Sequence, residues 1–188
     1  MSGKFDVVVI GGSAGSLAVV LDLLPHFKSG SEISIIIIFH RKGDDGTLID
    51  ILSHRSHFEV KEVEDKENIR AGVVYVAPSD YHVLVEKDKS LSLDYSEKIN
   101  FSRPSIDVTF ESAAEVYGTR LVGILLSGAN ADGANGLDKI GKAGGLVIIQ
   151  DPKTAEVSYM PAAALKKTRI DFIMYPDKMR DIVERIFN

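Results

Sequence analysis

A serine, a histidine and an aspartate each follow closely on an apolar run in this chain. Ser13 comes after Val7-Val8-Val9-Ile10 and a glycine pair, and His40 directly after Ile35–Phe39. Asp132 stands on the glycine-rich loop after Leu121–Leu126. A serine hydroxyl is a poor nucleophile alone: it needs a base within hydrogen-bond reach, and the base needs a third group to fix its tautomer. These three residue types supply that chemistry. Ser13 also lies in Gly11-Gly12-Ser13-Ala14-Gly15, which matches G-x-S-x-G, a strand-to-helix turn that exposes a serine nucleophile. The same kind of turn can instead let backbone N–H groups cradle a phosphate, as in dinucleotide folds.

The phosphate reading needs G-x-G-x-x-G and an acidic residue about 20 positions on, at the end of the next strand. Counted from Gly11, the third and sixth positions are Ser13 and Ser16, and the next apolar run ends in Phe39-His40-Arg41. Arg41 would suit a 2′-phosphate, but the glycine pattern fails twice. Each residue also has a plain structural reading: Ser13 as a helix N-cap, His40 as a strand-end histidine, Asp132 as a cap or turn residue. Their joint placement at strand ends favours the nucleophile. The other histidines compete poorly. His26 falls at a helix end, and His54 and His57 stand three apart with no acidic third ligand in an obvious position. His82 belongs to a segment expected to lie away from the strand-end crevice.

The elements that must position these residues follow from periodicity. Strands are predicted over Asp6–Ile10, Ile33–Phe39, Val73–Ala77, Arg120–Leu126, Leu146–Gln150 and Phe172–Met174. Helices are predicted over Ser16–Phe27, Thr47–His57, Ser105–Tyr117, Gly136–Ala143, Met160–Lys167 and Lys178–Phe187. Near-continuous Val/Ile runs alternating with helices imply a doubly wound, mostly parallel α/β sheet with helices on both faces. Groups at the carboxyl ends of neighbouring strands then converge on one crevice. Val73–Leu93, with Pro78-Ser79-Asp80 and Glu86-Lys87-Asp88-Lys89 as turns, reads as a small antiparallel excursion. Glu62–Arg70 reads as a solvated connection.

At 188 residues without an evident linker, the expectation is a single domain over residues 1–188. A net charge of -5 gives no basic footprint for nucleic acid. The sequence has no cysteine, which excludes disulfides and thiolate chemistry. No signal-peptide pattern or bilayer-length apolar run is evident, so the expected location is cytoplasmic, with no membrane insertion.

With these residues in view, the chain resembles the catalytic domain of the chemotaxis protein-glutamate methylesterases, the CheB family. The matching blocks run in order: VVVIGGSAGS around Ser13, IIIIFH ending at His40, GVVYVAPSDYH (Gly72–His82) and RPSIDVTFESAA (Arg103–Ala114). LLSGANADGANGL (Leu125–Leu137) and QDPKTAEVSYMPAAAL (Gln150–Leu165) follow. The resemblance implies hydrolysis of glutamyl methyl esters, and deamidation of certain glutamines, on the cytoplasmic helices of chemoreceptors or a receptor-like protein. It places the nucleophile at Ser13, the base at His40 and the buried carboxylate at Asp132. Backbone N–H groups of Ala14 and Ala129 would form the oxyanion hole, and no metal or organic cofactor is required.

The sequence departs from the family pattern at Ser16, where a second glycine is common, at Ala129, where methionine is common, and at Arg41–Asp45, which replaces an apolar-proline stretch. These changes cluster at the crevice mouth. The family usually carries an N-terminal phosphoacceptor receiver domain and linker, which this sequence does not contain. The expectations are therefore a stand-alone esterase domain without phosphorylation control on the same chain, served by a separate receiver-domain protein, or a fragment of a longer protein, or a non-catalytic or redirected binding module of the same fold.

Overall fold

The computed structural model describes residues 5–41, 43 and 46–187. In chain order the elements begin with β1 (Val7–Gly12), α1 (Ser16–Leu23), β2 (Ser34–Phe39), α2 (Thr47–Ser53), β3 (Glu59–Glu62), β4 (Glu67–Asn68), β5 (Val73–Val76), β6 (His82–Val85) and β7 (Ser90–Asp94). They continue with α3 (Ile106–Tyr117), β8 (Leu121–Leu125), α4 (Ala134–Lys142), β9 (Leu146–Gln150), α5 (Tyr159–Lys167), β10 (Phe172–Met174) and α6 (Met179–Phe187). Seven strands form one parallel sheet in the order β10-β9-β8-β1-β2-β5-β3. A second, antiparallel sheet holds β4-β7-β6.

The apolar runs explain the layering. Side chains alternate along a strand, so a continuous apolar run serves two covered faces at once. Val7 and Val9 of β1 join a core with Ile106 and Phe110 of α3, Leu137 and Ile140 of α4, and Val83 and Leu91 of the small sheet. Val8 and Ile10 point the other way, into a core with Val20 and Leu23 of α1, Leu52 of α2 and Val183 of α6. Each such fully buried aliphatic side chain contributes about 1.5–3 kcal/mol relative to an exposed one.

The sheet order sets the position of the site. β1 is flanked by β2 and β8, and the winding reverses there: the chain moves outward through β2, then returns to the far side of β1 at β8. In open α/β sheets a crevice forms at such a switch point, outside the carboxyl ends of the strands. Gly12 stands opposite Phe39, and Gly11 opposite Leu125. The residues that follow each of these three strands are therefore neighbours.

The doubly wound parallel fold with its antiparallel extension agrees with the sequence reading, and the differences are local. α1 ends at Leu23 and continues as a single 3-10 turn over Leu24–His26, because Pro25 cannot supply the next helical N–H. α2 stops at Ser53. The expected solvated connection Glu62–Arg70 instead touches both sheets: Glu62 closes the edge strand β3, and Glu67–Asn68 pair with β7. Of the excursion Val73–Leu93, the first strand belongs to the parallel sheet and only β6 and β7 are antiparallel.

Candidate active site

β2 delivers His40 to the crevice: its backbone N–H donates to the Gly12 carbonyl at 3.1 Å. Its ring makes two contacts. Nε2 lies 2.7 Å from Asp132 Oδ2, and Ser102 Oγ lies 3.3 Å from Nδ1. An ionised carboxylate only accepts, so Nε2 carries the proton and the Nδ1 lone pair faces the crevice. His40 is 11% exposed and Asp132 is fully buried.

Five donors hold the Asp132 carboxylate. Besides His40, Oδ2 accepts from the Ile106 N–H at 2.7 Å. Oδ1 accepts from Ser105 Oγ at 2.8 Å, Asn100 Nδ2 at 3.0 Å and the Asp107 N–H at 3.2 Å. Ile106 and Asp107 open α3, so its dipole also favours a negative charge there. Burial by itself would raise the pKa of Asp132, but the bonds from His40, Ile106 and Asn100 outweigh it and hold the carboxyl below its usual range. Asp132 is thus the ionised partner that a histidine base requires.

Asp107 is a second buried carboxylate beside the first. It accepts from the N–H groups of Gly133 at 2.9 Å and Gly136 at 2.7 Å, closing the loop that carries Asp132. Burial and the neighbouring charge of Asp132 push its pKa up against these bonds.

The Ser13 half of the site is built differently. Ser13 leaves β1 with its N–H on the Ser127 carbonyl at 2.9 Å. Ser127 is buried, its N–H donates to Gln150 Oε1 at 3.0 Å, and its hydroxyl donates to the Ala14 carbonyl at 2.7 Å. Gly15 then turns the chain into α1 with φ 79°, and a methyl group there would meet Glu156 Cβ at 2.5 Å. Ser16, buried where the resemblance expects glycine, donates its hydroxyl back to the Ser13 carbonyl at 2.5 Å. At Gly128 a methyl group would reach Ser13 Cβ at 3.1 Å and Met160 Cε at 2.5 Å. Glycine there lets the loop backbone pass beside the serine.

The Ser13 hydroxyl makes no hydrogen bond among the described residues, and neither the Ala14 nor the Ala129 N–H donates one. Ser13, with its free hydroxyl, and His40 line one crevice. One lobe, of about 390 Å³, is lined by Ser13, His40, Lys98, Phe101, Ser102 and Asn130. The other, of about 290 Å³, is more apolar, with Leu17, Phe39, Leu48 and Ile51 beside Ser13 and His40. A larger hollow of about 510 Å³ lies at the amino ends of the strands among Thr119, Asp138, Lys142 and Arg169. It holds no nucleophile–base pair.

The structure sets Ser13 and His40 in one crevice and bonds His40 to Asp132, while Ala14 follows Ser13 and Ala129 follows Gly128, which packs beside Ser13. Arg41 reaches Glu62 at 2.9 Å across the crevice mouth, while Lys42, Asp44 and Asp45 lie outside the described residues. His54 and His57 are exposed, and no group of three metal-ligating side chains occurs among the described residues. His82 lines neither lobe of the crevice; it is fully buried, and its Nδ1 accepts at 3.0 Å from the N–H of Ser105, the residue whose hydroxyl holds Asp132. Asn100, Ser102, Ser105, Asp107, Ser127 and Gln150 went unnoticed in the sequence. The only signal for Ser105, Asp107, Ser127 and Gln150 was their place inside the resemblance blocks, while Asn100 and Ser102 lie between blocks.

Comparison with known proteins agrees with this architecture. A model of the family described as CheB methylesterase matches residues 8–183. A relative from Leptospira interrogans, named putative protein-glutamate methylesterase/protein-glutamine glutaminase, is 44% identical over 97% of this chain and 95% of its own length. A Thermotoga maritima relative named protein-glutamate methylesterase/protein-glutamine glutaminase is 32% identical over 97% of this chain, which spans only 55% of that protein. The crystal structure of the Thermotoga maritima CheB methylesterase catalytic domain superposes with a TM-score of 0.90 at 32% identity, covering 98% of this chain and 99% of that one. No helix among the described residues is long and apolar enough to cross a membrane.

Proposed function

The chain belongs to the CheB methylesterase family, and from that premise we propose that it is a serine hydrolase that demethylates glutamyl methyl esters. Its triad is Ser13, His40 and Asp132. Its substrates are methylated cytoplasmic helices of chemoreceptors or a receptor-like protein, and the same site deamidates glutamines. The observation that carries this reading is the His40 ring: Nε2 is committed to Asp132, which leaves Nδ1 as the base atom facing the crevice that Ser13 lines.

In the first half-reaction the Ser13 oxygen attacks the ester carbonyl carbon and its proton passes to His40 Nδ1. Asp132 stabilises the imidazolium that forms. The N–H groups of Ala14 and Ala129 hold the oxyanion, each such donor being worth about 2.7–4 kcal/mol of transition-state stabilisation. Collapse breaks the bond to methoxide, which takes the proton from Nδ1 and leaves as methanol. Water then gives a proton to Nδ1 as it attacks the acyl-serine, and the second collapse returns that proton to Ser13 and frees the glutamate side chain. For a glutamine substrate the leaving group is ammonia. Every charge that develops is met by a group already in place, so these steps call for no metal or organic cofactor.

Methanol release from a methylated receptor fragment tests the reading. The protein should release methanol, and Ser13→Ala should abolish release while keeping the fold. Turnover unchanged in that variant overturns the assignment, and a folded wild-type protein that releases nothing supports the binding module instead.

A further inference from the structure

Between the small sheet and α3 the chain makes a tight turn. Ile99 and Ser102 exchange backbone hydrogen bonds, Ile99 N–H to Ser102 O at 3.1 Å and the reverse at 2.9 Å. The two central residues are both left-handed, Asn100 with φ 51° and Phe101 with φ 63°. Asparagine tolerates that conformation, whereas phenylalanine rarely adopts it, and the Phe101 ring is 98% exposed. So exposed a ring does not hold the turn there. Its inside supplies the reason for its shape. The Asn100 side chain points at two carboxylates, with Nδ2 3.0 Å from Asp132 Oδ1 and 3.0 Å from Asp107 Oδ2. The next residue but one, Ser102, reaches Nδ1 of His40.

We infer that Asn100 is a positioning residue of the catalytic machinery: its amide bridges the two buried carboxylates and holds Asp132 in line with His40. The donor assignment follows from chemistry, since only the NH₂ end of an amide can donate to two carboxylate oxygens at once. Its two hydrogens serve one carboxylate each. Two like charges packed side by side drive protonation of one of them unless donors intervene. Asp132 and Asp107 have backbone donors on their outer sides, from Ile106 and Asp107 on one and from Gly133 and Gly136 on the other. Asn100 is the donor they share. Remove it and Asp132 keeps four donors but loses one of the three on Oδ1, which loosens its alignment with Nε2 and takes away part of its preference for the charged form. Asn100 has no bond to Ser13 and lines neither lobe of the crevice, so it acts through Asp132.

The inference uses the proposed triad, but its geometry can be tested without turnover. Asn100→Gly keeps the left-handed backbone and deletes the amide, so it should fold with a lowered melting temperature, because two buried carboxylates each lose a donor. Asn100→Asp keeps the shape and replaces the donor with a third carboxylate. Two readouts are needed: kcat and KM for methanol release, and the far-downfield proton resonance of imidazole Nε2–H bonded to Asp132, assigned by its loss in His40→Ala. For Asn100→Gly, kcat should fall roughly 10- to 100-fold, the scale of a small misplacement of catalytic groups. KM should be little changed, and the downfield resonance should move upfield or broaden. Asn100→Asp should lose more, although it is closer in shape. A folded Asn100→Gly protein with wild-type kcat, or one whose kcat falls while the resonance is retained, overturns the inference. If the wild-type protein shows no esterase activity, the functional reading fails and the resonance alone decides the role of Asn100.

Discussion

The two halves of the site are built on opposite plans. Around Asp132, five donors converge on one carboxylate, and the residues that supply them are themselves tied down. Around Ser13 only the backbone is fixed: the hydroxyl and the neighbouring Ala14 and Ala129 N–H groups have no partner among the described residues. The difference matches what each half must do. On the proposed function, an orienting carboxylate at Asp132 keeps one position throughout the reaction, so every bond to it can be made in advance. A nucleophile at Ser13 and its oxyanion donors would have to be free to meet a substrate, and a partner already in place would compete with it.

Several substitutions can break or sharpen this contrast. The largest effect belongs to the open half. Ser13→Ala and His40→Ala should each cost on the order of 10⁶-fold in kcat, because triad members act as a unit. Ser13→Ala should leave the unfolding midpoint unchanged, since its hydroxyl has no partner to lose. A destabilised Ser13→Ala protein would mean that the nucleophile half is bonded after all.

Asp132→Asn should cost about 10⁴-fold in kcat by favouring the wrong tautomer. It should also destabilise, unlike Ser13→Ala, because an amide cannot accept from five donors. Loss of a buried charge partner of this kind costs about 3–5 kcal/mol. This deficit has a pH signature. The folded pKa of Asp132 lies below its unfolded value, near 3.9 for a free aspartate. Its stabilisation is therefore full above that value and is lost as pH falls through the folded pKa. Urea midpoints measured at pH 7, 5 and 3 should show the gap between wild type and Asp132→Asn shrinking only in the most acidic sample.

Two smaller effects complete the series. Ser127→Ala removes a buried hydroxyl that bonds Ala14 O and the Val157 N–H. It should cost about 1–3 kcal/mol in urea unfolding, with a fall in kcat smaller than that of Asp132→Asn. Phe101→Gly should stabilise slightly. Relief of a left-handed side chain, about 1–2 kcal/mol, is partly offset by the freedom glycine adds to the unfolded chain, about 0.5–1 kcal/mol. A less stable Phe101→Gly protein would show that the exposed ring is packed in solution.

The same contrast marks what was legible in the sequence. Ser13, His40 and Asp132 each follow an apolar run, and parallel strands aim their carboxyl ends at one crevice, so periodicity alone placed them together. The main helices and strands were readable for the same reason, down to Leu146–Gln150. The support for Asp132 was not readable from pattern. Asn100 and Ser102 come from a polar stretch with no periodicity, and His82 from an antiparallel hairpin whose return path places it under α3. β3 and β4 were missed because edge strands with charged, half-exposed side chains carry no apolar run. Ser13 and His40 directly follow strands and Asp132 stands on the loop after one, so apolar runs mark their places, whereas Asn100 and Ser102 arrive through a turn, and turns leave weak traces in a single sequence.

The central claim is that Ser13 is a nucleophile activated by His40. Labelling with a serine-reactive fluorophosphonate, followed by peptide mapping, tests it most directly. The account predicts one adduct, on Ser13, formed slowly or not at all in folded His40→Ala. A folded wild-type protein that resists the probe, or an adduct that maps to Ser102 instead, would contradict it.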